Sequence, residues 1–401
     1  MTKDVLVLGA GVVGVATAEA LMRRGLSVTL VDRSAEAGNG ASFANGGQLS
    51  YSYTDALSSP SLLKRLPGIL AATDPAFRVA VRFDPAYLRW CLAFFRNGSA
   101  GRFAANSLAG LEMALRSRAL MEELLDRYPL EFAHAVPGKL LLHEDADGFR
   151  AAAAHAEAKR RAGIEVRALT PAEAVGVEPA LEGIRSRLAG GIFAPGDAVG
   201  DPHLFCTALT ERLTGEGLET RFGAAVEGIE QGPGSAVRLA GGERLEARHL
   251  VVAAGPQAAA LLRPLGWRVP IVPVRGHSLT LAPGRQAPRV SITDVARKLV
   301  FCRLGERMRI AGLADVGFSD AAVDPLRLQA LAEAARDSLP EAADYEGPRA
   351  GWAGLRPVTP DSLPIVARRG AITVNIGHGG LGWTYALATA ERAAALVVGE
   401  G

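Results

Sequence analysis

The sequence contains few cysteines, and Cys91, Cys206 and Cys302 show neither metal-ligand nor redox-motif spacing. We therefore expect no disulfide framework and no metal site, and the low cysteine count fits a reducing compartment such as the cytoplasm. Long uncharged apolar runs are also absent, so no membrane span is expected. The formal net charge of +2 is too small to attract nucleic acid.

What is present fits an ordinary soluble enzyme. The chain has 401 residues, of which 49% are hydrophobic and 21% charged. This length favours two domains over one. The apolar residues 5–18 imitate a secretory signal, but Asp4 weakens its basic end and cleavage would destroy the motif described next. We therefore expect no signal peptide.

A dinucleotide-binding fingerprint opens the chain. Residues 5–8 (VLVL) predict a buried strand, residues 9–14 (GAGVVG) a glycine turn, and the pattern to about residue 24 a helix. Residues 27–31 predict a second strand that ends at Asp32, whose carboxylate is suited to ribose hydroxyls. The motif alone does not separate FAD from NAD. The cofactor-binding residues predicted here are Gly9, Ala10, Gly11, Val12, Val13, Gly14, Asp32 and Arg33.

Three later features favour FAD. They are a small, polar and glycine-rich loop at 40–48, a strand at 249–254 followed by Gly255, and a strand at 372–376 followed by a second glycine turn and a helix. A second helix N-terminus would stabilise negative charge on a flavin, whereas a simple NAD dehydrogenase needs one such turn. The further cofactor-binding residues predicted are Ser42, Asn45, Gly46, Gly47, Gln48, Val226, Ala254, Gly255, Gly377, Gly379, Gly380, Leu381, Gly382, Trp383 and Thr384.

These segments carry a family resemblance over nearly the whole chain. The segments are 7–16 (VLGAGVVGVA), 42–48 (SFANGGQ), 196–205 (GDAVGDPHLF), 273–280 (PVRGHSLT), 354–364 (GLRPVTPDSLP) and 375–384 (NIGHGGLGWT). The chain resembles bacterial D-amino-acid dehydrogenases, within the superfamily of D-amino acid oxidase, glycine oxidase and sarcosine oxidase. The resemblance implies FAD, a D-amino acid substrate, a 2-oxo acid and ammonia as products, and a quinone or other electron acceptor. Sarcosine oxidases attach flavin through a cysteine near 356–361, where this chain has none, which implies non-covalent FAD.

The predicted fold is α/β, with a Rossmann-like FAD-binding domain and an interleaved α+β substrate domain built on an antiparallel sheet plus helices. Because the fingerprint segments are scattered, we predict the FAD-binding domain at 1–60, 170–265 and 350–401. The substrate domain then occupies 61–169 and 266–349. Residues 269–281, 298–303 and 307–313 predict neighbouring antiparallel strands, and residues 86–95, 107–127 and 324–338 predict helices.

Four residues are candidates for the chemistry. An arginine fork suits a substrate carboxylate, and the two candidates are Arg356, beside the flavin segment, and Arg303, where the resemblance to glycine oxidases implies such a group. A structural salt bridge is the alternative for each. Tyr53 is predicted to cover the pocket or bind the carboxylate, and His378 to tune the flavin. Packing roles are the alternatives for these two.

Several alternatives stay open at this stage. Within the class, the substrate is alternatively a cyclic amino acid such as D-proline or hydroxyproline, or the enzyme is an oxygen-using oxidase. Outside the class, the rivals are an NAD-dependent dehydrogenase and a non-enzymatic or tRNA-modifying FAD protein. Residues 89–96 (RWCLAFFR) predict either a peripheral contact with the inner membrane or a core-facing helix. The oligomeric state is left open.

Overall fold

The computed structural model describes residues 3–70, 74–232 and 234–400. The helices are α1 (Val12–Met22), α2 (Pro60–Leu70), α3 (Pro85–Asn97), α4 (Ala100–Arg127), α5 (Ala146–Arg161), α6 (Pro171–Val177), α7 (Pro202–Gly215), α8 (Ala258–Leu262), α9 (Pro325–Ser338) and α10 (Gly382–Val398). The strands are β1 (Lys3–Leu8), β2 (Val28–Val31), β3 (Gln48–Leu49), β4 (Phe77–Val79), β5 (Lys139–His143), β6 (Arg167–Leu169), β7 (Gly190–Ala194), β8 (Ala198–Val199), β9 (Glu219–Arg221), β10 (Val226–Gln231), β11 (Ser235–Leu239), β12 (Arg244–Val252), β13 (Val272–Leu281), β14 (Ser291–Asp294), β15 (Leu299–Leu304), β16 (Arg307–Val316), β17 (Ala350–Val358), β18 (Ile365–Arg369) and β19 (Ile372–Ile376).

The first sheet is centred on β12, which pairs in parallel with β1 along one edge and with β19 along the other. β2 and β9 extend the parallel part beyond β1, and β10 and β11 form an antiparallel extension on the β12 side. The valine and leucine runs of β1 and β2 are buried, as parallel strands covered on both faces require. Helices α1 and α10 pack against each other. This arrangement is Rossmann-like, so the predicted fold class is confirmed.

The second sheet has nine strands and is mostly antiparallel. Its order is β17, β13, β16, β15, β14, β5, β7 and β6, with β4 added beside β16. The three strands predicted as neighbours appear as β13, β16 and β15, and each adjacent pair is antiparallel. Only the pairs β14–β5 and β16–β4 are parallel. The third sheet is the short pair β3–β8.

Sheet membership bears on the predicted domain boundaries. β7 and β17 fall within ranges expected for the FAD-binding domain, yet both pair within the nine-stranded sheet. The predicted boundaries therefore disagree with strand pairing at these two places. The reason is that a buried strand shows its length and polarity in the sequence, but not the sheet that it joins. The division into two domains stays a prediction.

The helical part of the first insertion differs from the sequence prediction at one end. Helix α4 begins at Ala100, earlier than predicted. The prediction missed its first two turns because they are largely exposed and carry no apolar periodicity. Helix α3 matches its prediction and turns Tyr87 and Trp90 inward. Within the described ranges, none of the helices combines the length and the apolar character that a membrane crossing needs.

A histidine packs the last turn of the fold against its last helix. The imidazole Nε2 of His378 lies 2.9 Å from Thr389 Oγ1 in α10, and both side chains are buried. Burial lowers the pKa of His378 to about 3. The imidazole is therefore neutral at ordinary pH and acts as a hydrogen-bonded spacer between the turn and the helix.

Replacing His378 with glutamine should make the fold less sensitive to acid. In the unfolded chain a histidine takes up a proton below about pH 6.5, whereas the folded protein resists this until about pH 3. Stability is thus lost as the pH falls through this window. From about pH 7 to about pH 5, the wild type should lose about 2 kcal/mol more unfolding free energy than His378→Gln in urea titrations. Equal losses would contradict a buried neutral imidazole.

Candidate active site

The glycine turn after β1 leads directly into the N-terminus of helix α1. A Cβ added to Gly14 would overlap the carbonyl oxygen of Gly9, so only glycine lets the first turn of α1 pack so closely. The N-cap residue Gly11 has no side chain to cap the amides of α1. These amides and the positive end of the helix dipole suit an anion. The predicted residues Gly9, Ala10, Gly11, Val12, Val13 and Gly14 all lie in this turn.

Asp32 follows β2 and binds the glycine turn. One carboxylate oxygen accepts a hydrogen bond from Ala10 N at 2.7 Å, and the other accepts from Ser34 N at 2.7 Å. The acid is thereby held at the side of the turn, where the sequence predicted a ribose contact. The adjacent Arg33 is exposed.

Two residues of the second sheet hold the loop at 42–48. Arg309 Nη1 donates to the carbonyl of Asn45 at 2.7 Å, and Ser278 Oγ donates to the carbonyl of Ala44 at 2.6 Å. Within the loop, the Asn45 side chain accepts from Gly47 N at 2.9 Å. The loop is therefore fixed in shape and attached to the sheet.

The ends of this loop reach both sheets. Ser42 Oγ accepts a hydrogen bond from Val12 N at 3.1 Å, in the first turn of α1. Gln48 Nε2 donates to Ser291 Oγ of β14 at 2.7 Å. A Cβ added to Gly46 would lie 3.0 Å from Val300 of β15, so the loop packs tightly on the sheet face. The segment thus lies between the dinucleotide turn and the second sheet.

A second helix N-terminus lies at the same sheet edge. α10 begins at Gly382, and its N-cap residue Leu381 supplies no side-chain cap. Because β1 and β19 both run parallel to β12, α1 and α10 start at the same edge of the first sheet. Thr384 Oγ1 accepts from Ser50 N at 3.0 Å, which ties α10 to the loop. The predicted residues Gly377, Gly379, Gly380, Leu381, Gly382 and Thr384 all belong to this turn and helix.

Other predicted cofactor residues are less directly placed. The indole of Trp383 donates to the carbonyl of Gly200 at 3.1 Å and packs on Phe205, so its side chain faces the core rather than an open cleft. Only its backbone remains for a cofactor. Val226 begins β10 and packs on the core of the first sheet. Ala254 and Gly255 follow the end of β12, at the same edge as the glycine turn.

Arg356 lies where the second glycine turn meets the second sheet. Its Nη1 donates to the carbonyl of Leu313 at 3.2 Å, and no carboxylate within the described ranges forms an ion pair with it. A Cβ added to Gly380 would lie 4.0 Å from Arg356 Cδ. Burial lowers the pKa of Arg356, and the negative charge of Asp315 opposes this effect. The site therefore contains a charged guanidinium without a carboxylate partner in the described chain.

The other candidate arginine lies elsewhere. Arg303 is at the end of β15 and donates to the carbonyl of Gly305 at 3.2 Å in an exposed hairpin turn. Its strand neighbours Cys302 and Leu304 contact the loop at 42–48. Side chains alternate along a strand, so Arg303 cannot share the face of Cys302. The geometry favours Arg356 over Arg303 as the group that meets a substrate.

Sequence reasoning missed a buried lysine beside Tyr53. Lys139 Nζ donates to Ser50 Oγ at 2.7 Å and lies 4.8 Å from the Tyr53 ring centroid. Burial lowers the pKa of Lys139 to about 8, and Asp197 opposes this. Lysine at the start of a strand usually reaches solvent, so the sequence carried no signal for this burial. Burial also raises the pKa of Tyr53, whose hydroxyl therefore stays protonated. The other candidate, His378, is bonded to Thr389 of α10 instead.

These features together fit a dinucleotide that carries a second ring system. Two helix N-termini whose own N-cap residues supply no side-chain cap, an acid and a fixed loop converge on one sheet edge. Gly11 leaves space for a backbone approach, since an added Cβ would meet only Ser42 Oγ, at 3.3 Å. The contacts of the individual predicted residues with FAD stay a prediction.

Comparison with known proteins gives the same result. The DAO family, described as FAD dependent oxidoreductase, matches residues 4–396. D-amino acid dehydrogenase of Dechloromonas aromatica (strain RCB) is 40% identical over 406 residues, covering 99% of this chain and 97% of the relative. D-amino acid dehydrogenase 2 of Pseudomonas aeruginosa is 40% identical over 398 residues, covering 96% of this chain and 92% of the relative.

Solved structures show the shared fold. Glycine oxidase from Geobacillus kaustophilus superposes with a TM-score of 0.78 at 24% identity, covering 99% of this chain and 94% of the other. L-proline dehydrogenase from P. horikoshii superposes with a TM-score of 0.77 at 19% identity, covering 100% of this chain and 94% of the other. The family match over residues 4–396 and the relatives at 40% identity show that the chain belongs to the DAO family of FAD-dependent oxidoreductases.

Proposed function

We propose that this enzyme oxidises D-amino acids with non-covalently bound FAD and passes the electrons to a quinone or another acceptor. The observation that carries the proposal is Arg356, a guanidinium in the site with no carboxylate partner in the described chain. An amino acid brings the missing carboxylate. The relatives named D-amino acid dehydrogenase, at about 40% identity over the chain, support the choice of substrate.

The chain supplies the groups that would hold the cofactor. The amides of α1 beyond Gly11 would hold the phosphates, Asp32 would hold the ribose, and the N-terminus of α10 would stabilise negative charge on the flavin. The loop at 42–48, which is bonded to the second sheet, would contact the flavin from that side. When bound, FAD supplies at N5 the acceptor for a hydride.

Arg356 would then fix the substrate. Its planar fork matches two carboxylate oxygens, and the Leu313 carbonyl orients it. The amino acid binds with a neutral amine, whose lone pair forms the C=N bond as a hydride leaves the α-carbon. Water then hydrolyses the imino acid to a 2-oxo acid and ammonia. A strong protein base is not needed, since the amine has lost its proton beforehand.

We further propose that the acceptor is reached from an anionic membrane surface. Val81 and Phe83 are 84% and 89% exposed, and α3 continues this apolar surface with Leu88, Leu92 and Phe95. Arginines flank the apolar side chains at Arg82, Arg89 and Arg96. Apolar side chains with interleaved cations suit a bilayer surface rich in anionic lipid. The inner face of α3 packs near Arg356, on Val274 and Val358.

Gly11→Ala should weaken FAD binding without unfolding the protein. The added methyl meets only Ser42 Oγ, but it would occupy the space into which a pyrophosphate approaches. We expect the FAD dissociation constant to rise at least about tenfold, measured by flavin fluorescence on the apoprotein. Gly40→Ala, where an added Cβ meets no atom within 4 Å, is the control. Equal affinities for both variants would place the phosphates elsewhere.

Arg356→Met should abolish substrate binding, whereas Arg303→Met should not. In the wild type, D-amino acids added without oxygen should bleach the flavin bands, and L-forms should not. The apparent second-order rate constant for flavin bleaching should fall at least about 100-fold in Arg356→Met, because a charge-assisted pair is lost. Arg303→Met should stay within about twofold. The opposite pattern would exchange their roles, and bleaching by proline or hydroxyproline alone would favour a cyclic substrate.

The triple variant Phe83→Ser, Leu88→Ser, Leu92→Ser should bind membranes more weakly than the wild type. Flotation with vesicles rich in phosphatidylglycerol should show at least about tenfold weaker binding, because apolar insertion is lost while the charge is kept. Leu326→Ser is the control, since Leu326 is also exposed, at the start of α9 and outside this surface. Wild-type protein that fails to float with such vesicles would rule out the membrane contact.

A further inference from the structure

Two glycines face each other on the strands beside Arg356. Gly276 of β13 lies directly opposite Gly354 of β17. A Cβ added to Gly276 would overlap the guanidinium of Arg356, and a Cβ added to Gly354 would overlap the indole of Trp352. The glycine pair therefore makes a depression in the sheet, and one cationic and one aromatic side chain lie over it.

Both side chains lie on the face of the sheet that meets the site. A Cβ added to Gly351 would overlap Leu328 of α9, so Gly351 faces α9. Trp352, the next residue, faces the opposite side because side chains alternate along a strand. Its register partner Ser278 donates to the carbonyl of Ala44 in the loop at 42–48. The indole thus shares its face with that loop.

Trp352 is not an ordinary core tryptophan. Trp90, Trp267 and Trp383 are buried, whereas Trp352 is only partly buried. It also belongs to none of the hydrophobic clusters formed by the described residues. An aromatic ring that is partly open on a cleft face offers apolar area to a ligand.

We infer that Trp352 forms the wall against which the side chain of the substrate packs, so that the enzyme prefers apolar and above all planar side chains. This inference rests on the proposed function, because Arg356 must hold the carboxylate. Carboxylate and side chain leave the same α-carbon, so two groups over one glycine pair are placed to hold both. The carbonyl of Leu313 fixes Arg356 independently of the indole.

The test compares Trp352→Leu with Trp267→Leu, a matched tryptophan at the first sheet. Anaerobic flavin reduction by D-alanine, D-leucine and D-phenylalanine gives an apparent second-order rate constant for each. For Trp352→Leu we expect about a tenfold fall with D-phenylalanine and less than about threefold with D-alanine. Trp352→Phe should recover most of the loss, and Trp267→Leu should not change the substrate ratios. An equal effect on all three substrates, or none, would overturn the inference.

The two glycines provide independent variants. Gly354→Ala displaces the indole and should reproduce the selective loss of Trp352→Leu. Gly276→Ala displaces the guanidinium and should lower the rate for all three amino acids alike. FAD content and thermal unfolding identify any variant that fails to fold. A Gly354→Ala variant that keeps its FAD yet loses all substrates equally would contradict a separate side-chain wall.

Ligand binding separates this inference from the proposed function. Benzoate and acetate carry the same carboxylate with and without a ring, and each is titrated against the flavin spectrum. Benzoate should bind about tenfold more weakly to Trp352→Leu, and acetate should bind unchanged. If this holds while no D-amino acid reduces the flavin, the proposed function fails and the pocket stands. If D-amino acids reduce the flavin but benzoate binds Trp352→Leu and the wild type equally well, the inference alone fails.

Discussion

The structure depends on one constraint, the pairing of both ends of the chain with a strand from its middle. β1 and β19 lie on opposite edges of β12 and run parallel to it. Parallel strands end at the same edge, so the helices that follow them also start there. Each helix N-terminus carries about half a positive charge, and two of them produce a field that neither segment gives alone. Two helix N-termini that suit an anion therefore meet only when β1, β12 and β19 have paired.

The segment 42–50, which contains the loop at 42–48 and strand β3, makes the second connection, between the two sheets. Its two ends are bonded to the helices α1 and α10, and its middle is bonded to Arg309 of the second sheet. Ser50 also accepts from buried Lys139, whose charge would be costly without such partners. Because these bonds are buried and mutually dependent, we expect the two sheets to keep a fixed spacing at the site.

Local features could be predicted from the sequence where one physical cause dominates. The glycine turn, Asp32 and the three antiparallel strands follow from steric and periodic patterns within a few residues. The burial of Lys139 and the different surroundings of Arg303 and Arg356 could not be predicted in this way. Both depend on which strand lies opposite and which face a side chain takes, and those relations join residues far apart in sequence. The same reason explains why β17 joined the other sheet.

The charge balance around Arg356 explains why an open arginine can exist here. Asp315 lies nearby and stabilises the positive charge, but its carboxylate is already bound by Arg275, His277 and Arg327. Asp320 also pairs with Arg275, so two carboxylates face Arg275, Arg327 and Arg356, and one positive charge remains near the site. A partly buried charge without a partner raises the free energy of the empty site. A carboxylate ligand would remove that cost on binding, which is the physical basis for the proposed role of Arg356 in holding an amino acid.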